Sequence, residues 1–361
     1  MGQSRKLNEL GLSARSGNAQ VAITGIALDS RAVKPGFLFA ALPGTRVHGA
    51  EFITYALRMQ AGAILTDRAG AALAADVLAD YPQVALVVAE DVGAAFAMTA
   101  ALWFGAQPDC TVAVTGTNGK TSVASFTRQI WTGLGHGAIN IGTTGVEGSW
   151  ATPLAHTTPD ALTLQRILAE AAEAGITHAA MEASSHGLDQ RRLDGVRLAA
   201  AGFTNLSQDH LDYHADMEAY FQAKCGLFTR LLPDDAPAVV NTDDPWGARL
   251  VTMLGDRPLM RIGTAAECDL RILAQRYTAH GQELRFAVKG KPYQVKLSLV
   301  GGFQAANALL ALGLTLATGA HVIEAMAMLP NLRGVRGRMQ LAATRRNGAP
   351  VFVDYAHTPA A

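Results

Sequence analysis

Short apolar runs alternate with longer segments of helical spacing along almost the whole chain, a pattern that predicts an α/β architecture. Near the start, residues 36–42 and 62–66 read as buried strands, with a helix over 52–60 between them. A strand over 84–89 and a helix over 92–104 close that unit. Gly105 and Pro108 then interrupt both patterns, which places a boundary after residue 106. A second series opens with an apolar strand over 111–114, turns through 116–119 and enters a helix near Lys120. Thr158, Pro159 and Asp160 predict a helix start, with Thr158 as the cap, running to about residue 174. Residues 177–181 and 198–203 read as further buried strands, 216–232 as a helix, and 270–300 as alternating strand. Gly301 and Gly302 lead into a helix that runs through residue 318. Residues 333–338 read as a linker, followed by strand-like runs over 339–343 and 351–355.

Composition narrows the class. At 361 residues, 49% hydrophobic and 17% charged, the chain has material for two domains and part of a third, and is too apolar for disorder. Thirty basic residues balance thirty acidic ones, so no global field draws in nucleic acid or a membrane surface. Any anionic ligand must be held by local groups. Cys110, Cys225 and Cys268 are too widely spaced for a disulfide-built fold. The first twelve residues lack the apolar stretch of a signal peptide, and the alanine-rich run over 92–106 is too short to span a bilayer. A cytoplasmic protein without membrane insertion is expected.

The strongest chemical signal is Thr115-Gly116-Thr117-Asn118-Gly119-Lys120-Thr121-Ser122, set between a strand and a helix. Backbone N–H groups at such a turn can wrap phosphate oxygens, Lys120 would meet the β- and γ-phosphates, and the Thr121 hydroxyl would reach Mg²⁺. The pattern departs from the usual P-loop, because Val114 stands where that motif has its first glycine. Glu182, followed by Ser184, Ser185 and His186 at the end of an apolar strand, is better placed as a metal ligand than as part of a serine hydrolase triad. His210 and His214 have the spacing of a zinc helix, but Leu211 replaces the glutamate and no third ligand is evident. Read by itself, Lys224 is a surface lysine on an apolar helix.

Taken together, these stretches resemble the Mur ligases of bacterial cell-wall synthesis and their folylpolyglutamate synthetase relatives. The marks are Thr115 to Ser122, the Glu182 loop and Lys224. Further matches are Leu28-Asp29-Ser30-Arg31, Thr157-Thr158-Pro159, the run from Asn205 to His214, and Asp354-Tyr355-Ala356-His357. They point to the branch that adds the third peptide residue to UDP-N-acetylmuramoyl-L-alanyl-D-glutamate. The resemblance implies a UDP-sugar-binding α/β domain over 1–106 and a central P-loop ATPase-like domain with a mainly parallel sheet over 107–334. Residues 335–361 would be a stub of a third, Rossmann-like domain.

The resemblance also implies site roles. Leu28, Ser30, Thr45, Arg46 and Val47 would hold the UDP moiety, and Thr157, Thr158, Ser184, Gln190 and Arg192 the muramoyl dipeptide. ATP would lie on Gly116, Thr117, Asn118, Gly119, Lys120, Thr121 and Ser122, with Asn307 near the adenine and Arg338, Asp354 and His357 approaching from the third domain. Mg²⁺ would be held by Thr121, Glu182, His210 and Lys224, the last carbamylated by CO₂ to N6-carboxylysine. Lys120, Lys224 and His210 would carry the catalysis.

The implied reaction activates a carboxylate as an acyl-phosphate and then forms an amide with a diamino acid, diaminopimelate or lysine. A monomer is expected. Because the family motif that selects the diamino acid is missing before Ala361, the chain is expected to be truncated, binding-competent and inactive. The alternatives weighed are a folylpolyglutamate synthetase-like ligase and a non-catalytic nucleotide-sugar binding module.

Overall fold

The computed structural model describes residues 3–44, 46–278 and 280–356. They form two compact units. The first comprises Met1–Gln107, Asp160–Glu170 and Gln190–Val196, and the second Pro108–Pro159, Ala171–Asp189 and Arg197–Ala361. The first unit therefore takes in two segments that a purely sequential division leaves with the central domain.

The first unit is built on four parallel strands in the order β1 (Gly25–Ala27), β2 (Phe37–Ala41), β3 (Ala63–Thr66) and β4 (Ala85–Val88). Their runs are almost continuously apolar because both faces are covered. Leu38, Ala40, Leu65 and Val87 pack with Phe96, Ala100 and Trp103 of the helix Val92–Phe104. The alternate residues Phe39, Ala41 and Ile64 pack with Ile53, Ala56 and Leu57 of the helix Ile53–Arg58. Asp91 caps the longer helix by accepting from Ala94 N at 2.9 Å.

The second unit carries a ten-stranded sheet. In chain order its strands are β5 (Cys110–Thr115), β6 (Ala138–Gly142), β7 (Gly145–Gly148), β8 (His178–Glu182), β9 (Ala200–Phe203), β10 (Ala238–Asn241), β11 (Leu259–Gly263), β12 (Leu270–Thr278), β13 (Gly281–Val288) and β14 (Lys291–Leu297). Across the sheet they run β14-β13-β12-β11-β10-β9-β5-β8-β6-β7. Pairings from β12 to β6 are parallel, while β7 and the β12–β14 meander are antiparallel. The alternating stretch over 270–300 is that meander. Helices Lys120–Gly133 and Phe303–Ala317 bury Val123, Phe126, Ile130, Leu310 and Leu314 against Val112, Val114 and Val239.

Two local expectations are corrected. The helix Ala161–Glu173 is capped by Asp160, which accepts from Thr163 N and Thr163 Oγ1 at 3.0 and 2.8 Å, and not by Thr158. Thr158 instead donates to Glu182 O at 2.9 Å. The helix expected over 216–232 is α-helical only from Met217 to Gly226 and continues as a π-turn over Leu227–Leu231. After Val335 the chain forms an exposed antiparallel hairpin, Gln340–Thr344 with Pro350–Val353. Among the described residues no helix is long and apolar enough to cross a membrane.

One pH effect follows from the sheet's other end. His178 at the start of β8 is half-buried and lies against His136, ring centroids 4.1 Å apart. Burial first, and then the neighbouring imidazole, lowers its pKa to about 4. The unfolded chain takes up a proton near pH 6.5 that the native state refuses, so stability falls as pH drops from about 6.5 to about 4. In His178→Phe that part of the decline should vanish from melting curves taken across this window. A slope identical to that of the parent protein would refute it.

Candidate active site

Strand order reverses beside β5, which lies between β9 and β8. In open α/β sheets, ligands collect outside the carboxyl ends of the strands at such a switch point. Register makes the ends nearly flush, since Val114 pairs with Glu182 and Thr115 with Phe203. Val114 is fully buried within the strand, so the turn starts one residue beyond Thr115, at Gly116. The residue at 114, where the usual motif has its first glycine, is thus part of the strand, and Gly116 begins the turn.

The loop 116–119 is held from below and from the side. Gly116 has φ 143° and Gly119 φ 87°. A Cβ on Gly116 would lie 1.9 Å from Thr204 Oγ1, and one on Gly119 would lie 2.5 Å from Asn307 Oδ1. Asn205 Oδ1 accepts from Asn118 N at 2.9 Å, and Thr204 Oγ1 donates to Asn118 O at 2.6 Å. Thr117 Oγ1 donates to Ser207 O at 3.1 Å and lies 3.2 Å from Tyr220 OH. With its backbone fixed, the loop leads into the first turn of the helix Lys120–Gly133, whose N-terminus favours an anion. Asn307, buried on its own helix, thus stands against the loop, and Ser122 is buried in that first turn.

Glu182 closes β8 and is 3% exposed. Its Oε2 accepts from Thr121 Oγ1 at 3.0 Å, and its Oε1 accepts from Thr143 N at 2.7 Å. A Cβ on Gly142 would sit 2.0 Å from that Oε1, so a glycine lets the carboxylate reach in. Burial raises its pKa, opposed by the Lys120 charge and these hydrogen bonds. Thr157 and Thr158 arrive on the same side: Thr157 Oγ1 lies 3.0 Å from Thr143 Oγ1, and Thr158 Oγ1 accepts from Ser184 N at 3.0 Å. Ser184 Oγ in turn accepts from Gly187 N.

Two lysines meet at one carbonyl. Lys120 Nζ donates to Gly116 O at 2.9 Å and to Thr117 O at 2.8 Å, while Lys224 Nζ donates to the same Gly116 O at 2.7 Å. Lys224 is 1% exposed, its Nζ 4.5 Å from the Tyr220 ring centroid. It is no surface residue. Two ammonium groups sharing one oxygen repel each other, and the more deeply buried one yields. Burial first, then Lys120, holds Lys224 well below the ordinary lysine pKa. Lys120 is lowered too, by burial, with Glu182 opposing.

His210 has φ 53°, and its backbone N donates to Asp209 Oδ1 at 2.8 Å. It belongs to a single turn rather than a helix, with His214 N bonded to His210 O. Its ring lies 4.9 Å from that of His186. Burial lowers its pKa, against the opposing Asp209 charge. Among the described residues, no group of three or more His, Cys, Asp or Glu side chains is placed to hold a metal ion. Arg338 is half-buried and near enough to act electrostatically on Lys120 and Glu182. Asp354 accepts from Met339 N and Ala356 N, bracing the hairpin. His357 lies outside the described residues.

In the first unit, Leu28 is partly buried against the core and Ser30 opens a short 3-10 turn capped by Asp29. Arg46 and Val47 are exposed on a loop, and Thr45 lies outside the described residues. Gln190 Oε1 accepts from Arg192 Nε and Nη2 at 3.1 and 2.6 Å. Sequence reasoning did not single out Thr143, Thr204 or Tyr220. Thr143 follows a strand too short and too glycine-bounded to stand out, whereas Asn205 lay within a quoted motif and had gone without a role.

Comparison with known proteins bears on this geometry. Residues 114–315 match the Mur ligase middle domain, and residues 22–101 match the Mur ligase family catalytic domain. A UDP-N-acetylmuramoyl-L-alanyl-D-glutamate–2,6-diaminopimelate ligase of Mesorhizobium japonicum is 46% identical over 344 residues, covering 95% of this chain and 70% of that protein. The ligase of the same name from Brucella melitensis is 45% identical over 353 residues, covering 95% and 69%. A solved structure under that name superposes with a TM-score of 0.83 at 29% identity, over 99% of this chain and 72% of the other. Mycobacterium tuberculosis folylpolyglutamate synthase with ADP shares the fold, with a TM-score of 0.61 at 21% identity over 74% of this chain and 67% of the other.

Proposed function

The chain belongs to the Mur ligase family of ATP-dependent ligases, and from that premise we propose that it joins diaminopimelate to the D-glutamyl carboxylate of UDP-N-acetylmuramoyl-L-alanyl-D-glutamate in the cytoplasm. The observation that carries this reading is the meeting, at the switch point, of an anion-binding loop, a lysine and a buried carboxylate bonded to a threonine hydroxyl. The folate-ligase alternative covers less of the chain at lower identity. Residues 1–106 would take the nucleotide sugar, through Leu28, Ser30, Thr45, Arg46 and Val47, and 107–334 the ATP. Thr157, Thr158, Ser184, Gln190 and Arg192 offer hydroxyls, an amide and a guanidinium, donors suited to carboxylate and phosphate.

Thr121 and Glu182 fit a magnesium ion, because Mg²⁺ takes hard oxygen ligands, keeps several waters and relies on one or two carboxylates plus substrate phosphates. His210 would face that ion from its turn. When bound, the ion would supply positive charge against the triphosphate. The chain's own groups do the rest. The loop amides and Lys120 hold the β- and γ-phosphates in line with the incoming carboxylate, whose negative charge would otherwise be repelled. A carboxylate oxygen forms a bond to the γ-phosphorus as the bond to ADP breaks. The diamino acid nitrogen then bonds to the acyl carbon, phosphate departs, and the amine loses a proton.

Lys224 fits the carbamate. A neutral amine attacks the carbon of CO₂, an N–C bond forms, one C–O π pair moves to oxygen and a proton is released. The product turns the repulsion between Lys120 and Lys224 into attraction.

The test of the metal arm is Glu182→Gln. Magnesium should tighten binding of a non-hydrolysable ATP analogue in the parent protein by about tenfold more than in the variant, measured by calorimetry with and without the metal. Equal magnesium enhancement in both would remove Glu182 from the site.

A further inference from the structure

We infer that His214 is a positioning residue for the carbamate on Lys224, donating a hydrogen bond from Nε2 to one of its oxygens; the inference rests on the carbamate reading above. His214 is 7% exposed, and among the described residues its buried Nε2 has no hydrogen-bond partner. A buried ring nitrogen left unpaired is costly, so such an atom in a native protein calls for a partner. The ring stacks on Tyr220, centroids 5.2 Å apart and tilted by 36°, and Lys224 Nζ lies 4.5 Å from that same Tyr220 centroid. Tyr220 and Lys224 are one turn apart on the helix Met217–Gly226, so His214 and Lys224 both pack against the same buried tyrosine ring. Burial first, then His186, and more weakly the Lys224 charge, disfavour a proton on His214, with Asp189 opposing.

In the free amine, Nζ donates to Gly116 O and could meet His214 only with Nε2 as the acceptor. Carbamylation changes the balance. The nitrogen keeps one hydrogen for Gly116 O, and two acceptor oxygens appear beside the Lys120 ammonium and the His214 ring. Among the described residues, the buried hydroxyl of Ser207 is likewise without a partner, on a residue whose backbone bonds the Thr117 hydroxyl that touches Tyr220 OH. A carboxylate would give a protonated Nε2 the acceptor it lacks. A charge-assisted bond of this kind shifts the carbamate equilibrium by about tenfold.

The experiment is ¹³C NMR of the protein in ¹³C-bicarbonate buffer at neutral pH, with Lys224→Ala defining which resonance belongs to the carbamate. His214→Ala should need about tenfold more CO₂ for half-occupancy. His214→Phe, which keeps an aromatic ring on Tyr220 but no donor, should match it. His214→Gln, which places an N–H at similar reach, should recover most of the occupancy. Occupancy in His214→Phe equal to that of the parent overturns the assignment while leaving the carbamate standing. A parent spectrum without any Lys224-dependent resonance overturns the carbamate reading and the role of His214 with it.

Discussion

Replacing Lys120 by alanine should weaken binding of the magnesium complex of a non-hydrolysable ATP analogue by about 100-fold, the scale of losing charge-assisted hydrogen bonds to phosphate. The lysine now folds back on its own loop, bonding Gly116 O and Thr117 O, so its ammonium is stationed where the phosphates would arrive. Its removal also strips the buried Glu182 of the charge that favours ionisation, which adds to the loss. The helix should persist, because Gly119 precedes it and the loop is pinned independently by Asn205 and Thr204. Calorimetry on the variant, with circular dichroism as a control on folding, measures this. Unchanged affinity would show that the triphosphate lies elsewhere.

Replacing Lys224 by alanine, or by arginine, which cannot take up CO₂, should lower ligation by about 100-fold, the usual consequence of deleting one pre-placed charge from a water-poor site. Binding of the ATP analogue should change far less, since Gly116 O keeps its bond from Lys120. The pH dependence has a definite sign. Only the neutral amine reacts, so carbamate rises with pH, and the depressed pKa of Lys224 brings that rise below the range near pH 10 where an ordinary lysine would show it. Initial rates in CO₂-depleted and bicarbonate-supplemented buffer read the effect. A Lys224→Ala enzyme with full activity would contradict the assignment.

Much of this was legible from the chain, for physical reasons. Buried parallel strands such as Phe37–Ala41 and Cys110–Thr115 announce themselves as apolar runs, and the glycine turn before Lys120 marks where one ends. Less legible were the short strands Ala138–Gly142 and Ala238–Asn241, each carrying an asparagine, where Arg128 Nε bonds the buried Asn140 side chain at 2.9 Å. Missing the first of these hid Thr143, whose backbone steadies Glu182. Lys224 could not be read from helical spacing, because its burial comes from the loop after β5, 108 residues away in sequence. Thr158 illustrates the same limit. Its local sequence suits a helix cap, but a distant strand end offers its hydroxyl a buried carbonyl, and Asp160 takes over the cap.

The central claim is that this chain takes a UDP-muramoyl dipeptide and not a folate, a claim that binding alone can settle. The most direct measurement is a pair of calorimetric titrations of the protein loaded with the magnesium complex of a non-hydrolysable ATP analogue. One uses UDP-N-acetylmuramoyl-L-alanyl-D-glutamate and the other a reduced folate. Saturable one-to-one binding of the nucleotide sugar, with no heat from the folate, is the predicted result. Binding of the folate in preference to the UDP-muramoyl dipeptide, or of neither, would contradict it.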